Sequence, residues 1–305
     1  MSEVEPLLSR VQPDWILVQG DTTTVMTAAI AARHLSVKIG HVEAGLRTGD
    51  MNNPFPEEMN RIVVDAISDL HFVPTSGARQ NLLREGIPDD KIIITGNTVI
   101  DSLIAVAGLP WTPANDHALS MLFNSRRGLS SASRLILITM HRRENFGRPL
   151  QDICLALREI ARKSETPLHF VYPVHLNPNV YEPVHRMLGD HPCFTLVPPL
   201  DYLSLVNLMK RSTLILTDSG GIQEEAPSLG IPVLVLRKVT ERPEGVEAGT
   251  VRVVGTDPDA IVEQTLRLLS DPDEYQAMAQ AVNPYGDGHA AERIVARLLK
   301  EGNHT

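Results

Sequence analysis

Cysteine is almost missing from this chain of 305 residues, in which Cys154 and Cys193 are the only two. Two thiols are too few for a disulfide framework or a zinc site. No apolar run reaches the roughly 18 residues of a membrane-spanning helix. Positive charge is not in excess either: the net charge is −9, whereas nucleic-acid binding asks for a basic face. We therefore expect a cytoplasmic protein that binds neither nucleic acid nor membranes.

The composition is otherwise that of an ordinary globular protein, with 43% hydrophobic and 21% charged residues. The length favours two domains. Pro110, Pro113 and the polar run at 130–133 indicate a link between them near residues 105–133. We predict a first domain over 1–106, a second domain over 107–284, and a last helix at about 285–305 that packs back on the first domain.

Short apolar runs alternate with helical segments along both halves. This alternation is typical of parallel sheets covered by helices on both faces, so we predict the α/β class. The predicted strands are Trp15–Gln19, Val37–Val42, Leu70–Pro74, Ile92–Thr95, Leu135–Thr139, His169–Pro173, Thr195–Val197, Leu214–Thr217, Val233–Leu236 and Val251–Val254.

The stretch Thr217–Glu225 contains a Ser-Gly-Gly turn between a predicted strand and a predicted helix. Such a turn offers backbone N–H groups and lets a ligand approach without a Cβ in the way. The helix start adds partial positive charge, so phosphate is the expected ligand. Glu225, one turn later, is placed to accept hydrogen bonds from ribose hydroxyls. An ordinary turn with a capping Ser219 is the alternative.

Polar residues follow other predicted strands at the same end. Ligands in such sheets bind beyond the carboxyl ends of the strands. Asp21, Glu43, His141, Ser219 and Arg242 all lie there. Each of these residues taken alone is readily explained as a surface-loop residue. Taken together, the set predicts two doubly wound domains that face one another across a cleft.

Six segments together resemble the non-hydrolysing UDP-N-acetylglucosamine 2-epimerases, and they occur in that family's order. The resemblance implies a glycosyltransferase-B-like fold. It also implies reversible epimerisation at C2 between UDP-GlcNAc and UDP-ManNAc, by anti elimination of UDP to 2-acetamidoglucal and re-addition. The segments are Gly20–Thr24, His41–Thr48, Pro54–Arg61, His141–Asn145, Asp218–Glu225 and Thr240–Glu244, and Pro284–Gly288 fits the same family.

By this resemblance Asp21, Glu43 and Glu57 are the catalytic carboxylates, and which of them removes the C2 proton stays open. Crowded carboxylates raise one another's pKa, which suits acid–base work. Glu57 alone also reads as a helix-start residue favoured by the helix dipole. His141 is implied to contact the diphosphate, although a lone His at such a turn is often a helix cap or a core donor.

The resemblance also implies the substrate-binding residues. Arg242 is a phosphate or substrate clamp. Arg142 and His175 match positions linked to a second UDP-GlcNAc that acts as activator, although His175 also reads as a turn cap. No metal or nicotinamide cofactor is implied, and a homodimer is expected. The full substrate-binding set is Arg142, His175, Leu200, Leu205, Ser219, Gly220, Gly221, Glu225 and Arg242, in which Leu200 and Leu205 match the uracil pocket.

The chain departs from the family at its start, where no Gly-Thr-Arg-Pro-Glu-type turn is found. We therefore expect the first domain to be N-terminally truncated, lacking βα units, with low activity and poor solubility of the chain alone. Alternative functions are a nucleotide-sugar glycosyltransferase, a hydrolysing epimerase that releases free ManNAc, and a non-catalytic remnant that binds UDP-sugars.

Overall fold

The structure is a computed structural model that describes residues 3–52, 54–113, 119, 120, 123 and 133–302. Much of the predicted link near 105–133 lies outside the described residues. The chain divides into two compact units. Unit 1 comprises Met1–Ser102 and Pro284–Thr305, and unit 2 comprises Leu103–Asn283.

Unit 1 is built on a parallel sheet of four strands in the order β1-β2-β3-β4. Its elements are α1 (Val4–Val11), β1 (Trp15–Gln19), α2 (Thr23–His34), β2 (Lys38–Val42), α3 (Glu57–Ile67), β3 (Leu70–Val73), α4 (Ser76–Arg84), a 3₁₀ turn (Asp89–Lys91), β4 (Ile92–Ile94), the first half of α5 (Thr98–Ala107) and, from the chain end, α13 (Ala290–Gly302).

Local sequence explains these boundaries. The side chain of Thr22 caps α2 by accepting from the amide of Val25, and Thr75 caps α4 by accepting from Ala78. Asp101 holds the start of α13 by accepting from the amides of Ala290 and Ala291. Small residues let α2 pack closely, since Ala29, Ala31 and Ala32 are fully buried with Ile39 and Val64 in one apolar cluster.

Unit 2 has a parallel sheet of six strands in the order β10-β9-β8-β5-β6-β7. Its elements are the second half of α5, β5 (Arg134–Thr139), a 3₁₀ turn (Arg143–Asn145), α6 (Arg148–Lys163), β6 (Leu168–Pro173), α7 (Pro178–Leu188), β7 (Phe194–Val197), α8 (Tyr202–Arg211), β8 (Leu214–Thr217), α9 (Gly220–Ser228), β9 (Val233–Val235), α10 (Pro243–Glu247), β10 (Val251–Val253), α11 (Pro258–Ser270) and α12 (Pro272–Ala279).

The strands of unit 2 are apolar on both faces because helices cover both. Ile136 belongs to the cluster formed with α6, α7 and α11, whereas its neighbour Leu137 belongs to the opposite cluster with α8 and α9. The chain reverses its direction across the sheet between β5 and β8. Ligands bind at such a switch point in doubly wound sheets. His141 and Ser219 follow these two strands.

The predicted α/β class with two Rossmann-like parallel sheets is confirmed, and all ten predicted strands are present within one or two residues. The sequence pattern does not predict α5, α10 and α12. In the region of α7 it predicts a short helix over Val184–Leu188, whereas α7 begins at Pro178, because Asn177 caps the helix and proline is tolerated in a first turn. In the described residues, no helix has the length and apolar character needed to cross a membrane.

Candidate functional site

In unit 1, two of the predicted carboxylates follow neighbouring strands. Gly20 and Asp21 come after β1, and Glu43 comes directly after β2. Glu43 has φ of +66° and Gly20 has φ of +81°, and a Cβ built on Gly20 would lie 3.4 Å from Oε2 of Glu43. Glycine at position 20 therefore lets the Glu43 carboxylate lie close against the β1 turn.

The first turns of α3 bind the same turn. The amide nitrogen Nδ2 of Asn60 donates to the carbonyl of Asp21 at 2.7 Å, and Nη2 of Arg61 donates to Oδ2 of Asp21 at 2.6 Å. Arg61 also contacts the buried Glu58 at 3.0 Å. Asp21 thus lies beside a guanidinium that is itself fixed by the buried Glu58.

Glu57 is half-buried at the start of α3, which agrees with its reading as a helix-start residue. Its Oε2 atom is buried, and within the described part of the chain it has no hydrogen-bond partner. The same holds for Oδ1 of the fully buried Asn60. An unpaired buried acceptor is costly, so both atoms are candidates for contacts with a ligand.

The buried Asp65 of α3 binds residues at the end of β2 and in the loop after it. It accepts from Nδ1 of His41 at 2.6 Å, from the amide of Gly45 and from Nη2 of Arg47 at 2.8 Å. The other ring nitrogen of His41 donates to the carbonyl of Gly20 at 2.9 Å. Burial acts to raise the pKa of Asp65, but His41 and Arg47 outweigh it and hold the pKa below its usual value.

In unit 2, Asp218 plays the corresponding part. It is fully buried and accepts from the backbone amides of His141 and Arg142 at about 3.0 Å, and from the side chain of Asn145 at 3.0 Å. The hydroxyls of Thr139 and Thr217 lie 2.6 Å apart and join the ends of β5 and β8. These bonds fix the His141 turn beside the Ser219–Gly221 turn.

The imidazole of His141 is partly exposed above Asp218, with Nδ1 3.5 Å from Oδ1. The ring of His175 stacks on it at a centroid distance of 6.1 Å. Burial lowers the pKa of His141, and Arg142, His175 and Arg237 lower it further against the opposing effect of Asp218. His175 also caps its own turn by accepting from the amide of Asn177.

The Ser219–Gly221 turn has the features of an anion site. α9 begins at Gly220, and Ser219 makes no side-chain capping bond, so the first amides of the helix stay available. A Cβ built on Gly220 would lie 3.4 Å from Nη2 of Arg142. Arg142 in turn lies 3.6 Å from Glu241, and its Nε has no hydrogen-bond partner among the described residues.

Glu225 lies farther along α9, where Oε1 accepts from the hydroxyl of Tyr202 at 2.5 Å. Burial raises the pKa of Glu225, as does the charge of Glu224, while the Tyr202 hydrogen bond opposes both. Leu200 and Leu205 are half-buried and pack against the apolar cluster that α8 and α9 share. Arg242 is buried with its guanidinium on Glu224.

The structure therefore groups the predicted residues by unit. Asp21 and Glu43 lie together with the α3 start in unit 1, whereas His141, Arg142, Ser219, Gly220 and Gly221 lie together in unit 2. Arg242 is held by an ion pair with Glu224 on α9. In the described residues, no group of three or more His, Cys, Asp and Glu side chains has a metal-binding arrangement.

Sequence patterns alone predict no role for five residues of the site, which are Asn60, Arg61, Asp65, Tyr202 and Asp218. Four of them nevertheless carry a sequence signal. Asn60, Arg61 and Asp65 place polar groups at helical spacing on the inward face of α3, where apolar residues are expected. Asp218 stands inside the glycine motif, and Tyr202 carries no signal beyond its place after the helix cap Asp201.

Comparison with known proteins agrees with the motifs. The family model for UDP-N-acetylglucosamine 2-epimerase matches residues 1–299. The UDP-N-acetylglucosamine 2-epimerase of Escherichia coli K12 is 52% identical over 295 residues, which are 97% of this chain and 78% of the relative. That of Bacillus subtilis is 48% identical over 97% of this chain and 75% of its own length.

Solved structures give the same result. The Neisseria meningitidis UDP-GlcNAc 2-epimerase bound to UDP-GlcNAc is 47% identical with a TM-score of 0.89, over 98% of this chain and 80% of that chain. The Methanocaldococcus jannaschii enzyme, in complex with UDP-GlcNAc and UDP, is 34% identical with a TM-score of 0.77, over 98% and 79%.

These matches do not bear out the expectation that the first domain lacks N-terminal βα units, since they span nearly all of this chain and the family model matches from its first residue. With a family model matched over 1–299 and relatives about half identical, this chain belongs to the UDP-N-acetylglucosamine 2-epimerase family.

Proposed function

We propose that this protein interconverts UDP-GlcNAc and UDP-ManNAc by inverting C2 of the sugar. The observation that carries the proposal is family membership together with two chemically distinct groups of residues, carboxylates in unit 1 and an anion-binding turn in unit 2. C2 of the sugar is not acidic, so direct proton exchange there is slow. Elimination of UDP followed by re-addition avoids the difficulty.

In the first step a carboxylate takes the C2 proton while the C1–O bond breaks, which leaves 2-acetamidoglucal with a C1=C2 double bond and UDP. In the second step UDP oxygen adds to C1, and a proton is delivered to the opposite face of C2. Asp21, Glu43 and Glu57 are proposed for these proton transfers. The hydrogen bond from Arg61 holds the Asp21 carboxylate in a fixed orientation, which proton transfer requires.

UDP leaves as an anion, and its departure needs positive charge and N–H donors near the phosphates. We assign this part to His141, Ser219, Gly220 and Gly221. The unfilled helix start at Gly220 and the neighbouring guanidinium of Arg142 support the assignment. Glu225 is proposed for the ribose, Leu200 and Leu205 for the uracil, and Arg242, which forms an ion pair with Glu224, as a clamp on a phosphate or on the substrate.

Arg142 and His175 are proposed to contact a second UDP-GlcNAc that acts as activator, which the contact between the His175 and His141 rings supports. A homodimer and a cytoplasmic location are also proposed. The limits 1–106 and 107–284, with a last helix at 285–305, are proposed for the two domains.

Incubation of the purified protein with UDP-GlcNAc in D₂O tests the reaction. We expect UDP-ManNAc, with deuterium at C2 in both sugars, because re-addition takes its proton from exchangeable sites. Release of free ManNAc would favour a hydrolysing epimerase instead. UDP binding without product or deuterium would favour a non-catalytic protein, and sugar transfer to an added acceptor would favour a glycosyltransferase.

A further inference from the structure

Glu225 of unit 2 is held in an unusual way for a buried carboxylate. Only 6% of the residue is exposed, and its neighbour Glu224 is already paired with Arg242. Within the described residues, the donor on Glu225 is the hydroxyl of Tyr202, which contacts Oε1 at 2.5 Å. A buried carboxylate is therefore held by a neutral donor rather than by a cation.

The second oxygen of this carboxylate faces the ligand-binding turn. A Cβ built on Gly221 would lie 3.7 Å from Oε2 of Glu225 and 3.9 Å from Oγ of Ser219. Oε2 makes no hydrogen bond to the described residues. It is thus an acceptor beside the helix start that is proposed to bind the diphosphate.

Tyr202 is itself fixed in place. It is the first residue of α8, whose capping residue Asp201 accepts from the amide of Ser204 at 2.7 Å. The residue as a whole is 37% exposed, so Tyr202 lies at the surface, where its hydroxyl contacts Glu225. A tyrosine has only two side-chain torsions, and both the backbone and the hydroxyl of Tyr202 are held by hydrogen bonds. The Tyr202 hydroxyl therefore fixes the orientation of the Glu225 carboxylate.

We propose that Tyr202 is a positioning residue for ribose recognition: its hydroxyl occupies Oε1 of Glu225 and directs Oε2 to accept one ribose hydroxyl of the uridine nucleotide. The inference rests on the proposed function, since it requires Glu225 to meet the ribose. It makes Tyr202 a determinant of selectivity for ribonucleotides over deoxyribonucleotides. A site that hydrogen-bonds a hydroxyl rejects the analogue that lacks it, because the acceptor is then left unpaired.

The experiment measures the affinity of UDP, 2′-deoxy-UDP and 3′-deoxy-UDP by calorimetry for five proteins. They are the unchanged chain, Tyr202→Phe, Glu225→Gln, the double variant that combines these two changes, and the control Tyr275→Phe. Tyr275 also donates one hydroxyl hydrogen bond within unit 2, to the carbonyl of Thr213 at 2.8 Å. The control therefore loses the same atom and the same kind of bond away from Glu225.

For the unchanged protein we expect UDP to bind at least about tenfold tighter than the deoxy analogue that lacks the accepted hydroxyl. Tyr202→Phe should lower this ratio to about threefold or less, mainly by weakening UDP, while Tyr275→Phe leaves it unchanged. In the Glu225→Gln background, adding Tyr202→Phe should have no further effect on the ratio, since both changes remove one interaction.

The proposal is overturned if Tyr202→Phe weakens UDP and both deoxy analogues equally, or leaves the ratio at its original value. A loss of selectivity in Glu225→Gln alone would then retain the ribose role of Glu225 and reject that of Tyr202. Failure of the unchanged protein to bind UDP would overturn the proposed function and, with it, this inference.

Discussion

The two units hold their candidate sites by different means. Beneath the Asp21 and Glu43 turns, unit 1 buries charged side chains, with Asp65 bound to His41 and Arg47, and Arg61 bound to Glu58. Beneath the Ser219–Gly221 turn, unit 2 has a six-stranded sheet between two large apolar clusters.

The difference follows from what each site is proposed to do. Carboxylates that transfer protons need side chains in fixed orientations, and hydrogen bonds and ion pairs supply direction. A phosphate-binding turn uses backbone amides, whose direction is set by the strand and helix themselves. We therefore expect damage in unit 1 to affect turnover and pH dependence, and damage in unit 2 to affect nucleotide affinity.

The largest expected effect separates turnover from binding. Asp21→Asn and Glu43→Gln each remove a proposed proton-transfer group with little change in size. We expect the rate of UDP-ManNAc formation to fall by about 10²- to 10⁴-fold. UDP affinity, measured by calorimetry, should change less than threefold.

Asp50→Asn is the matched control, since Asp50 is an exposed carboxylate whose Oδ1 accepts the local amide of Asn52. It should keep full turnover. A Glu43→Gln protein with unchanged turnover would break the assignment of proton transfer to unit 1, as would a parallel loss of UDP affinity and rate.

Substitutions of buried residues in the two units should both reduce stability. Asp65→Asn leaves His41 and Arg47 facing a neutral amide, and breaking a buried ion pair costs about 3–5 kcal/mol of unfolding free energy. Leu216→Ala in unit 2 removes a fully buried side chain and costs about 2–5 kcal/mol. These two losses of unfolding free energy overlap in size, so the two variants are distinguished by how their stability depends on pH.

The folded-state pKa of Asp65 lies below its unfolded value of about 3.9. Its contribution is therefore complete above the unfolded pKa and is lost as the pH falls through the folded pKa. In Asp65→Asn, the unfolding free energy of unit 1 should fall less steeply as the pH is lowered into the acid range. In Leu216→Ala, the unfolding free energy of unit 2 should be lower at every pH, with an unchanged dependence on pH. Trp15 and Trp111, one in each unit, allow separate urea titrations by fluorescence in single-tryptophan variants.

The third prediction isolates the anion site. A Cβ at Gly221 makes only ordinary contacts of 3.7 Å or more, and alanine favours a helix, so Gly221→Ala should fold normally. The added methyl occupies the space where a phosphate would approach the amides. We expect the dissociation constant of UDP to rise about tenfold or more in calorimetric titrations.

Gly108→Ala is the control, because its Cβ would meet backbone oxygens of α5 at 3.5 and 3.7 Å and lies in the same unit. It should leave UDP affinity unchanged. An unaltered affinity in Gly221→Ala would remove this turn from the binding site.

Sequence patterns predict the strands well and the supporting polar contacts poorly. Buried parallel strands such as Leu214–Thr217 are short apolar runs, and β-branched residues define them locally. Asp65 cannot be recognised in this way, because its importance depends on His41 and Arg47, which precede it by 24 and 18 positions. Glu225 is predicted from its motif, whereas its partner Tyr202 lies on another helix, 23 positions earlier.

The smallest expected effect concerns protonation of His141. Burial lowers the pKa of the His141 imidazole from its usual value, which favours the neutral ring in the free protein. A bound diphosphate raises the pKa, and binding therefore takes up a proton whenever the free ring is neutral. UDP-GlcNAc affinity should rise about two- to fivefold per unit as the pH falls from 8 to 6, against a limit of tenfold for one proton.

UDP-GlcNAc suits this measurement because its diphosphate is a diester without ionisation in this range, unlike the terminal phosphate of UDP. Calorimetry in two buffers of different ionisation enthalpy counts the protons taken up. His141→Asn should abolish the uptake, while His185→Asn, which changes a ring stacked on Tyr181 on α7, should preserve it. If the His141→Asn protein still takes up a proton, the uptake is not due to His141. A titration of His175→Asn would then test whether His175, whose ring stacks on that of His141, is the group responsible.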